Sequence, residues 1–120
     1  MGSLRFFIIL TLILLTTNTF AEDNKLFIKN CGTCHSAVKG DTSMRAGPNL
    51  WGVIGRKAGT QQSYTMYSAA LKNSGIVWDE KHLDKWLTNA GMYVQGTNMF
   101  YMQSDETVRK SIINYLRTLK

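Results

Sequence analysis

Two cysteines and a histidine lie within five residues of this chain, in the order Cys31-Gly32-Thr33-Cys34-His35. On a helical turn, positions i, i+3 and i+4 share one face, so the three side chains can all point at one planar group. This spacing is the signature of c-type haem attachment, in which the two thiols bond to vinyl groups and the histidine ligates the iron. The motif therefore predicts one haem c, bound covalently through Cys31 and Cys34 with His35 as the proximal ligand.

Three other kinds of site fit the same residues less well. A thioredoxin-like redox pair needs a βαβ setting, and no strand–helix alternation surrounds this one. A zinc site needs further ligands, but the chain has only these two cysteines and one other histidine, His82. A disulfide between Cys31 and Cys34 would close a very small loop and stabilise the fold little. On the motif alone these alternatives stay open.

The first 21 residues have the layout of a secretory signal peptide. A short basic region ends at Arg5, an apolar run extends from Phe6 to Leu15, and a polar region ends in Thr19-Phe20-Ala21. We expect cleavage after Ala21, which leaves residues 22–120 as a single domain. The alternative is an uncleaved membrane anchor, although the apolar run is short for a membrane span. Because bacteria attach haem of this kind outside the cytoplasm, the sequence predicts a periplasmic protein.

The composition limits the classes of partner. The chain of 120 residues carries a formal net charge of +6, and a mildly basic surface favours acidic partners. No basic run with interleaved aromatic residues supports binding to nucleic acid. We therefore expect acidic protein surfaces as partners, and no nucleic acid.

The apolar periodicity predicts an all-α fold with long irregular segments. Four helices are expected, at Asp23–Cys34, at Tyr64–Asn73 after a Ser63 cap, from an Asp79 cap to about Ala90, and after a Ser104 cap. The last helix has a clear apolar stripe made of Val108, Ile112, Tyr115, Leu116 and Leu119. The irregular stretch at 36–63 is long for a small domain, which is understandable if it wraps a large prosthetic group.

The only proline of the chain, Pro48, follows Gly47 in this irregular stretch. Such a pair can be a simple turn. A second interpretation is functional: the Pro48 carbonyl accepts a hydrogen bond from the ring nitrogen of His35 that does not face the metal, as a metal-bound histidine usually requires.

Several segments, in this order and spacing, resemble the class I cytochrome c family, in particular its mitochondrial-type and α-proteobacterial members. The resemblance extends from about Asp23 to Leu119. The matching segments are Cys31–His35, Gly47-Pro48-Asn49-Leu50-Trp51-Gly52, Gly55-Arg56-Lys57, Tyr67-Ser68-Ala69-Ala70-Leu71, Trp78 and Tyr93–Phe100.

The resemblance implies a specific site. His35 and Met99 would be the axial ligands of the iron, and Pro48 would orient His35. Arg56, Tyr67 and Trp78 stand at positions that serve the haem propionates. In the implied fold the terminal helices cross at Phe27 and Tyr115, and long loops wrap one covalently bound haem.

The implied function is that of a monomeric single-electron carrier rather than an enzyme. It would shuttle electrons between respiratory-chain or related membrane redox complexes that present acidic docking faces, and it would touch membranes only through such docking or through an uncleaved anchor. Two alternatives remain: a peroxidase-like haem enzyme or sensor with a displaceable sixth ligand, and a thiol–disulfide oxidoreductase.

The chain departs from the family pattern around the Met99 loop. Ala90 and Gln95 stand where the family usually has proline, which leaves the loop less stiffened. Gly91, Met92 and Asn98 stand where the family often has lysine. The remaining lysines near the haem motif are Lys25, Lys29 and Lys39.

Overall fold

The computed structural model describes residues 19–120, so the predicted signal peptide lies outside the described residues except for its last three positions. The described chain is helical at 19–31 (α1), Ala69–Lys72 (α2), Glu80–Thr88 (α3), Ala90–Tyr93 (α4) and Glu106–Arg117 (α5). Between residues 19 and 120 no strand forms, and β pairing is limited to the isolated bridges Lys57–Val77 and Asn89–Met102. The all-α prediction is confirmed.

Helix α1 carries the haem motif at its end. It ends at Cys31 and is already helical at residue 19, so the predicted bounds of Asp23 and Cys34 are wrong at both ends. The backbone nevertheless keeps a helical turn after Cys31, because the N–H groups of Cys34 and His35 both donate to the Cys31 carbonyl, at 3.1 and 2.9 Å. The i, i+4 relation between Cys31 and His35 is therefore kept.

Helix α2 is shorter than expected. Its cap is Ser68, whose hydroxyl accepts from the Leu71 N–H and whose backbone is extended, so the predicted start at Tyr64 and the Ser63 cap are wrong. Tyr64 instead donates its hydroxyl hydrogen to the Ala46 carbonyl at 2.9 Å. The helix ends at Lys72, one residue before the predicted end, and Asn73 is its C-cap. Gly75 follows with φ 71°.

Helix α3 begins as predicted, with the Asp79 carboxylate accepting from the His82 N–H at 2.7 Å. It ends at Thr88 rather than Ala90, because Asn89 is extended at φ −163°. The Asn89 side chain accepts from the Met92 N–H and so caps α4, a helix that the sequence did not predict. Gly91, which follows the predicted helix end at about Ala90, lies inside α4.

Helix α5 is capped by Asp105 and not by Ser104. The Asp105 carboxylate accepts from both the Thr107 and the Val108 N–H groups, at 2.8 and 3.3 Å, and a charged acceptor is favoured at this helix end. The predicted apolar stripe is confirmed, with three of its members buried: Ile112, Leu116 and Leu119.

The first and last helices meet through aromatic rings, as expected. The ring centroids of Phe27 and Tyr115 lie 4.9 Å apart. Helix α5 is also tied to α3 by two ion pairs, Arg109–Asp84 at 2.8 Å and Arg117–Glu80 at 2.9 Å. The contacts join α1, α3 and α5, which we call the helical frame.

One departure from the family pattern has a structural reason. The N–H of Ala90 donates to the Tyr101 carbonyl at 3.1 Å, and a proline at this position would lose that hydrogen bond.

Among residues 19–120, no helix is long and apolar enough to cross a membrane.

Candidate functional site

A cavity of about 350 Å³ opens between the helical frame and the loops. It falls within the range of roughly 300–1,000 Å³ that is usual for small-molecule and cofactor sites. Its walls include all eight residues that the sequence analysis assigned to the site, namely Cys31, Cys34, His35, Pro48, Arg56, Tyr67, Trp78 and Met99. Residues that are 68 positions apart in the chain are therefore brought to one cavity.

The two cysteines are free thiols at the cavity wall, Cys31 buried and Cys34 exposed. Burial, with a smaller effect of Cys34, raises the pKa of the Cys31 thiol to about 12. A thiol–disulfide oxidoreductase instead requires a thiol whose pKa is lowered. In the part of the chain that the structure describes, no group of three or more His, Cys, Asp and Glu side chains could hold a metal ion. The arrangement counts against both a redox dithiol and a zinc site.

His35 is oriented from one side of its ring. Its Nδ1–H donates to the Pro48 carbonyl at 2.8 Å, as the sequence analysis predicts. Burial lowers the pKa of His35, and the bond to Pro48 opposes this shift only in part, so the neutral imidazole is favoured. With Nδ1 protonated, Nε2 keeps a lone pair, which is the state in which an imidazole binds a metal.

Gly47 supports the same ring and was missed as a site residue, since a glycine before a proline indicates only a turn. A Cβ added at Gly47 would lie 2.6 Å from Nδ1 and 2.8 Å from Nε2 of His35, and closer still to Cε1. Any side chain here would therefore displace the imidazole. The signal for this role was available in the Gly47-Pro48 pair, but only the fold shows which ring lies against it.

A polar network holds the loop that contributes Pro48, Leu50 and Arg56 to the cavity wall. The Asn49 amide donates to the carbonyls of Val38 and Asp41, at 2.8 and 2.9 Å. The Arg56 guanidinium donates to the carbonyls of Asn49, at 2.9 Å, and of Trp51. Asn49, buried and polar, is a second residue whose role the sequence alone did not indicate.

Arg56 also places a cation at the cavity. Burial lowers its pKa, and no carboxylate pairs with it among residues 19–120. A half-buried guanidinium without an anion is unfavourable unless a ligand supplies one. This fits a bound group that carries carboxylates, as haem does.

The aromatic residues at the cavity leave hydrogen-bond donors for a ligand. Tyr67 oxygen accepts from the Gln61 N–H at 3.3 Å, and the Tyr67 O–H has no acceptor within the described residues. Trp78 packs edge-on against Trp86, with centroids 5.4 Å apart, and its indole N–H likewise has no acceptor there. Because no buried side-chain nitrogen or oxygen among residues 19–120 lacks a hydrogen-bond partner, the indole N–H of Trp78 is accessible from the cavity.

Met99 differs from the two other methionines near it. It is partly buried and lines the cavity, whereas Met92 and Met102 are exposed and do not. The N–H of Met99 lies 3.5 Å from the hydroxyl of Thr97, a buried residue at the same wall. Of these three methionines, only Met99 lines the cavity.

His82 does not take part in the site. Its Nδ1 is 2.7 Å from the Asp79 carboxylate at the start of α3, and it does not line the cavity. The cavity therefore has no second histidine opposite His35.

Comparisons with known proteins agree with this geometry. The family model described as Cytochrome c matches residues 21–120. The chain is 44% identical over 98 residues to cytochrome c of Theileria annulata, covering 81% of this chain and 83% of that protein. It is 45% identical over 97 residues to cytochrome c of Euglena viridis, covering 80% and 92%. It is 42% identical over 100 residues to cytochrome c2 of Rhodopila globiformis, covering 82% and 92%.

The residues present fit a covalently bound haem. One largely apolar cavity is lined by two free thiols, by a neutral imidazole with an available nitrogen, and by a guanidinium that has no carboxylate partner among residues 19–120. Together with the match over residues 21–120, this identifies the chain as a member of the cytochrome c family, an electron-transfer protein that is not an enzyme and that binds one c-type haem through its cysteines.

Proposed function

We propose that His35 and Met99 are the two axial ligands of the haem iron, and that the protein carries single electrons between membrane redox complexes in the periplasm. The observation that carries the ligand assignment is that Met99 and the oriented His35 line the same cavity, while Met92 and Met102 are exposed outside it.

When bound, the haem supplies one-electron redox chemistry at its iron. The contribution of the chain is to bind, orient and shield. The Met99 thioether is a weak donor that suits the reduced metal, and an apolar cavity disfavours the additional charge of the ferric form. Both effects raise the midpoint potential, so we expect a positive value.

Two axial side chains would leave no open position on the iron for a substrate. A peroxidase-like site would need Met99 to be displaced and would usually have a distal histidine. His82, the only other histidine, is bonded to Asp79 away from the cavity. This arrangement supports a carrier over a haem enzyme or sensor.

The partners are proposed from charge. Lys25, Lys29 and Lys39 are exposed beside the haem motif, and opposite charge on a partner raises association rates in a salt-dependent manner. We infer donor and acceptor complexes with acidic docking faces, approached by a monomer.

The location is proposed from the N-terminal segment. The basic, apolar and small-residue regions of residues 1–21 are those of an export signal. The relatives come from both bacteria and eukaryotes and do not decide between compartments. Mass spectrometry of the protein from the native host tests both points, since a mature chain beginning at Glu22 is expected in the periplasmic fraction.

Substitution of the methionines tests the ligand assignment. In Met99→Ala we expect the weak near-infrared band of ferric iron–thioether coordination to disappear and the midpoint potential to fall, because the thioether is lost. Met92→Leu and Met102→Leu are matched controls that should leave both unchanged. Survival of the band in Met99→Ala, or its loss in either control, would show that another residue is the ligand.

A further inference from the structure

The side chains that follow Met99 alternate between two environments. Met99, Tyr101 and Gln103 are partly buried, whereas Phe100 and Met102 are exposed. The segment is not helical, and Met102 takes part in an antiparallel bridge. In extended backbone successive side chains point to opposite sides, so residues two positions apart share a side. The proposed ligand Met99 therefore lies on the same side of the chain as Tyr101 and Gln103.

Asn30, near the end of α1, bonds to two of these side chains. Its Oδ1 accepts from the Tyr101 hydroxyl at 3.3 Å and from the Gln103 side-chain amide at 3.4 Å. The two donors are 71 and 73 positions away from Asn30 in the chain. Asn30 directly precedes Cys31, so its acceptor oxygen belongs to the residue next to a haem-binding cysteine. We call Asn30, Tyr101 and Gln103 the Asn30 cluster.

Backbone groups fix the orientation of both amides in the Asn30 cluster. Asn30 Nδ2 donates to the Leu26 carbonyl at 2.8 Å, so Oδ1 is the atom that faces the segment after Met99. Gln103 Oε1 accepts from the Asp105 N–H at 3.1 Å, so Nε2 is the atom that faces Asn30. A reversed amide at either position would place donor against donor and acceptor against acceptor. The two amides are therefore matched to each other in one orientation.

The Asn30 cluster lies at the cavity and can open without unfolding of the whole chain. Asn30 and Tyr101 both line the cavity. The backbone of the segment is held separately, because the Tyr101 carbonyl accepts from the Ala90 N–H at 3.1 Å and the Gln103 N–H donates to the Leu87 carbonyl at 2.9 Å. The two bonds to Asn30 are long, which makes each of them weak. Their loss is thus a local opening between α1 and this segment.

The chain just before Met99 contributes little stiffness. Gly96 has a φ of 90°, a conformation that glycine adopts freely, and the only proline of the protein is Pro48 in another loop. The Asn98 amide donates to the Met66 carbonyl at 2.9 Å, but Asn98 is exposed to water. A restraint on the side after Met99 therefore matters for the position of its thioether.

We propose that Asn30 is a positioning residue for the sixth ligand: through Tyr101 and Gln103 it holds the segment after Met99 against α1 and keeps the Met99 side chain directed into the cavity. This inference rests on the proposed ligation by Met99. Because Asn30 and Cys31 are neighbours in α1, the cluster joins the attachment point of the haem to the proposed ligand. An electron carrier needs this connection, since departure of Met99 would open the iron to other ligands.

Displacement of Met99 by imidazole measures the restraint. Ferric holoprotein is mixed with imidazole in a stopped-flow instrument, and the loss of the near-infrared band of iron–thioether coordination is followed. At saturating imidazole the rate is limited by the departure of Met99. Asn30→Ala should raise this limiting rate about tenfold, which corresponds to about 1.4 kcal/mol. Tyr101→Phe removes only the hydroxyl and should raise it about threefold.

A double variant and a control separate the cluster from general destabilisation. Asn30→Ala combined with Tyr101→Phe should be no faster than Asn30→Ala alone, because both changes remove the same hydrogen bond. Ile113→Val is the control, since Ile113 is buried in α5 but does not line the cavity. It should lower the urea midpoint of unfolding and leave the displacement rate unchanged.

The outcomes distinguish this inference from the proposed ligation. A wild-type protein without the near-infrared band would overturn ligation by Met99, and the inference with it. A wild-type band with an unchanged displacement rate in Asn30→Ala and Tyr101→Phe would overturn the inference alone. The same holds for rates that multiply to about thirtyfold in the double variant, or for an Ile113→Val protein as fast as Asn30→Ala. Where Asn30→Ala yields no holoprotein, Tyr101→Phe decides: a faster rate supports the inference and an unchanged one overturns it.

Discussion

His35 is held by its neighbours on two sides. The Pro48 carbonyl fixes Nδ1, and the bare backbone of Gly47 lies against the ring. Adjacent residues in the chain thus set both the tautomer and the position of the imidazole. The position of His35 therefore depends on Gly47, which has no side chain, as well as on the hydrogen bond to Pro48.

Gly47→Ala tests this close contact. Its Cβ would lie 2.6 Å from Nδ1 of His35, so the ring or the loop has to move. We expect loss of low-spin character in the absorption spectrum and a fall of about 1–3 kcal/mol in the free energy of unfolding, the usual range for overpacking. Denaturant titration and visible spectra measure the two effects.

Gly91→Ala is the matched control. A Cβ at Gly91 has its closest contact at 3.7 Å, to the Asn89 side chain, and the residue lies within α4. The free energy of unfolding should stay unchanged or rise by up to about 1 kcal/mol, because alanine favours helix. Equal behaviour of the two variants would contradict the proposed contact at His35.

At the scale of the element, Asn89 separates two helices and connects a third segment to them. Its backbone N–H ends α3 at the Lys85 carbonyl, and its side chain starts α4. The same residue forms the isolated bridge with Met102, just after the Met99 loop. One residue therefore links the helical frame to the segment that carries the proposed ligand.

Asn89→Ala should loosen this link. Loss of the cap on the Met92 N–H should lower the free energy of unfolding by about 1 kcal/mol. Amide hydrogen exchange should become faster at Met92 and through the Met99 loop. Asn73→Ala is the control, because Asn73 ends α2 through its backbone, and a change within about 0.5 kcal/mol is expected. Unchanged exchange in Asn89→Ala would exclude the coupling.

Some features of the helices can be predicted from local sequence patterns. The apolar stripe of α5 and the Asp79 cap of α3 were predicted because each depends on residues that are close together in the chain. The start of α2 was not predicted, because the Tyr64 hydroxyl bonds to the carbonyl of Ala46, which is distant in sequence. Helix α4 was not predicted either, because the extended backbone of Asn89 is paired with Met102, which is also outside the local sequence. The residues of the haem motif could likewise be named from neighbouring positions, and the other site residues from the family resemblance, whereas the roles of Gly47 and Asn49 needed the fold.

At the scale of the whole molecule, the cavity takes the place that a continuous core would have. Buried side chains of α3 and α5, such as Leu83, Trp86 and Ile112, line it, and so does Trp78, which precedes α3. Without a group in the cavity, the buried apolar side chains on its wall lack packing partners on one side, which destabilises the fold. The fold and the cofactor therefore depend on each other.

The double variant Cys31→Ala with Cys34→Ala tests this dependence. It should lose covalent haem in a pyridine haemochrome assay and, with it, much of the helical circular dichroism signal. Cys34→Ala alone should retain haem through one bond, with a shifted absorption band. A double variant with wild-type helicity and no haem would show that the chain folds without its cofactor.

The unbroken course of α1 through Ala21 and Glu22 sets an order of events in the life of the protein. The proposed removal of residues 1–21 would need the bond after Ala21 in an extended strand, as proteins that recognise peptides by strand addition do. Once α1 has formed and the Phe20 ring lies 6.2 Å from that of Tyr115, that bond is inside a helix. Under this proposal, processing would have to precede folding, and a chain that folded first would keep its leader. The relative speed of the two steps would then decide whether the cell obtains a diffusing carrier or a tethered one.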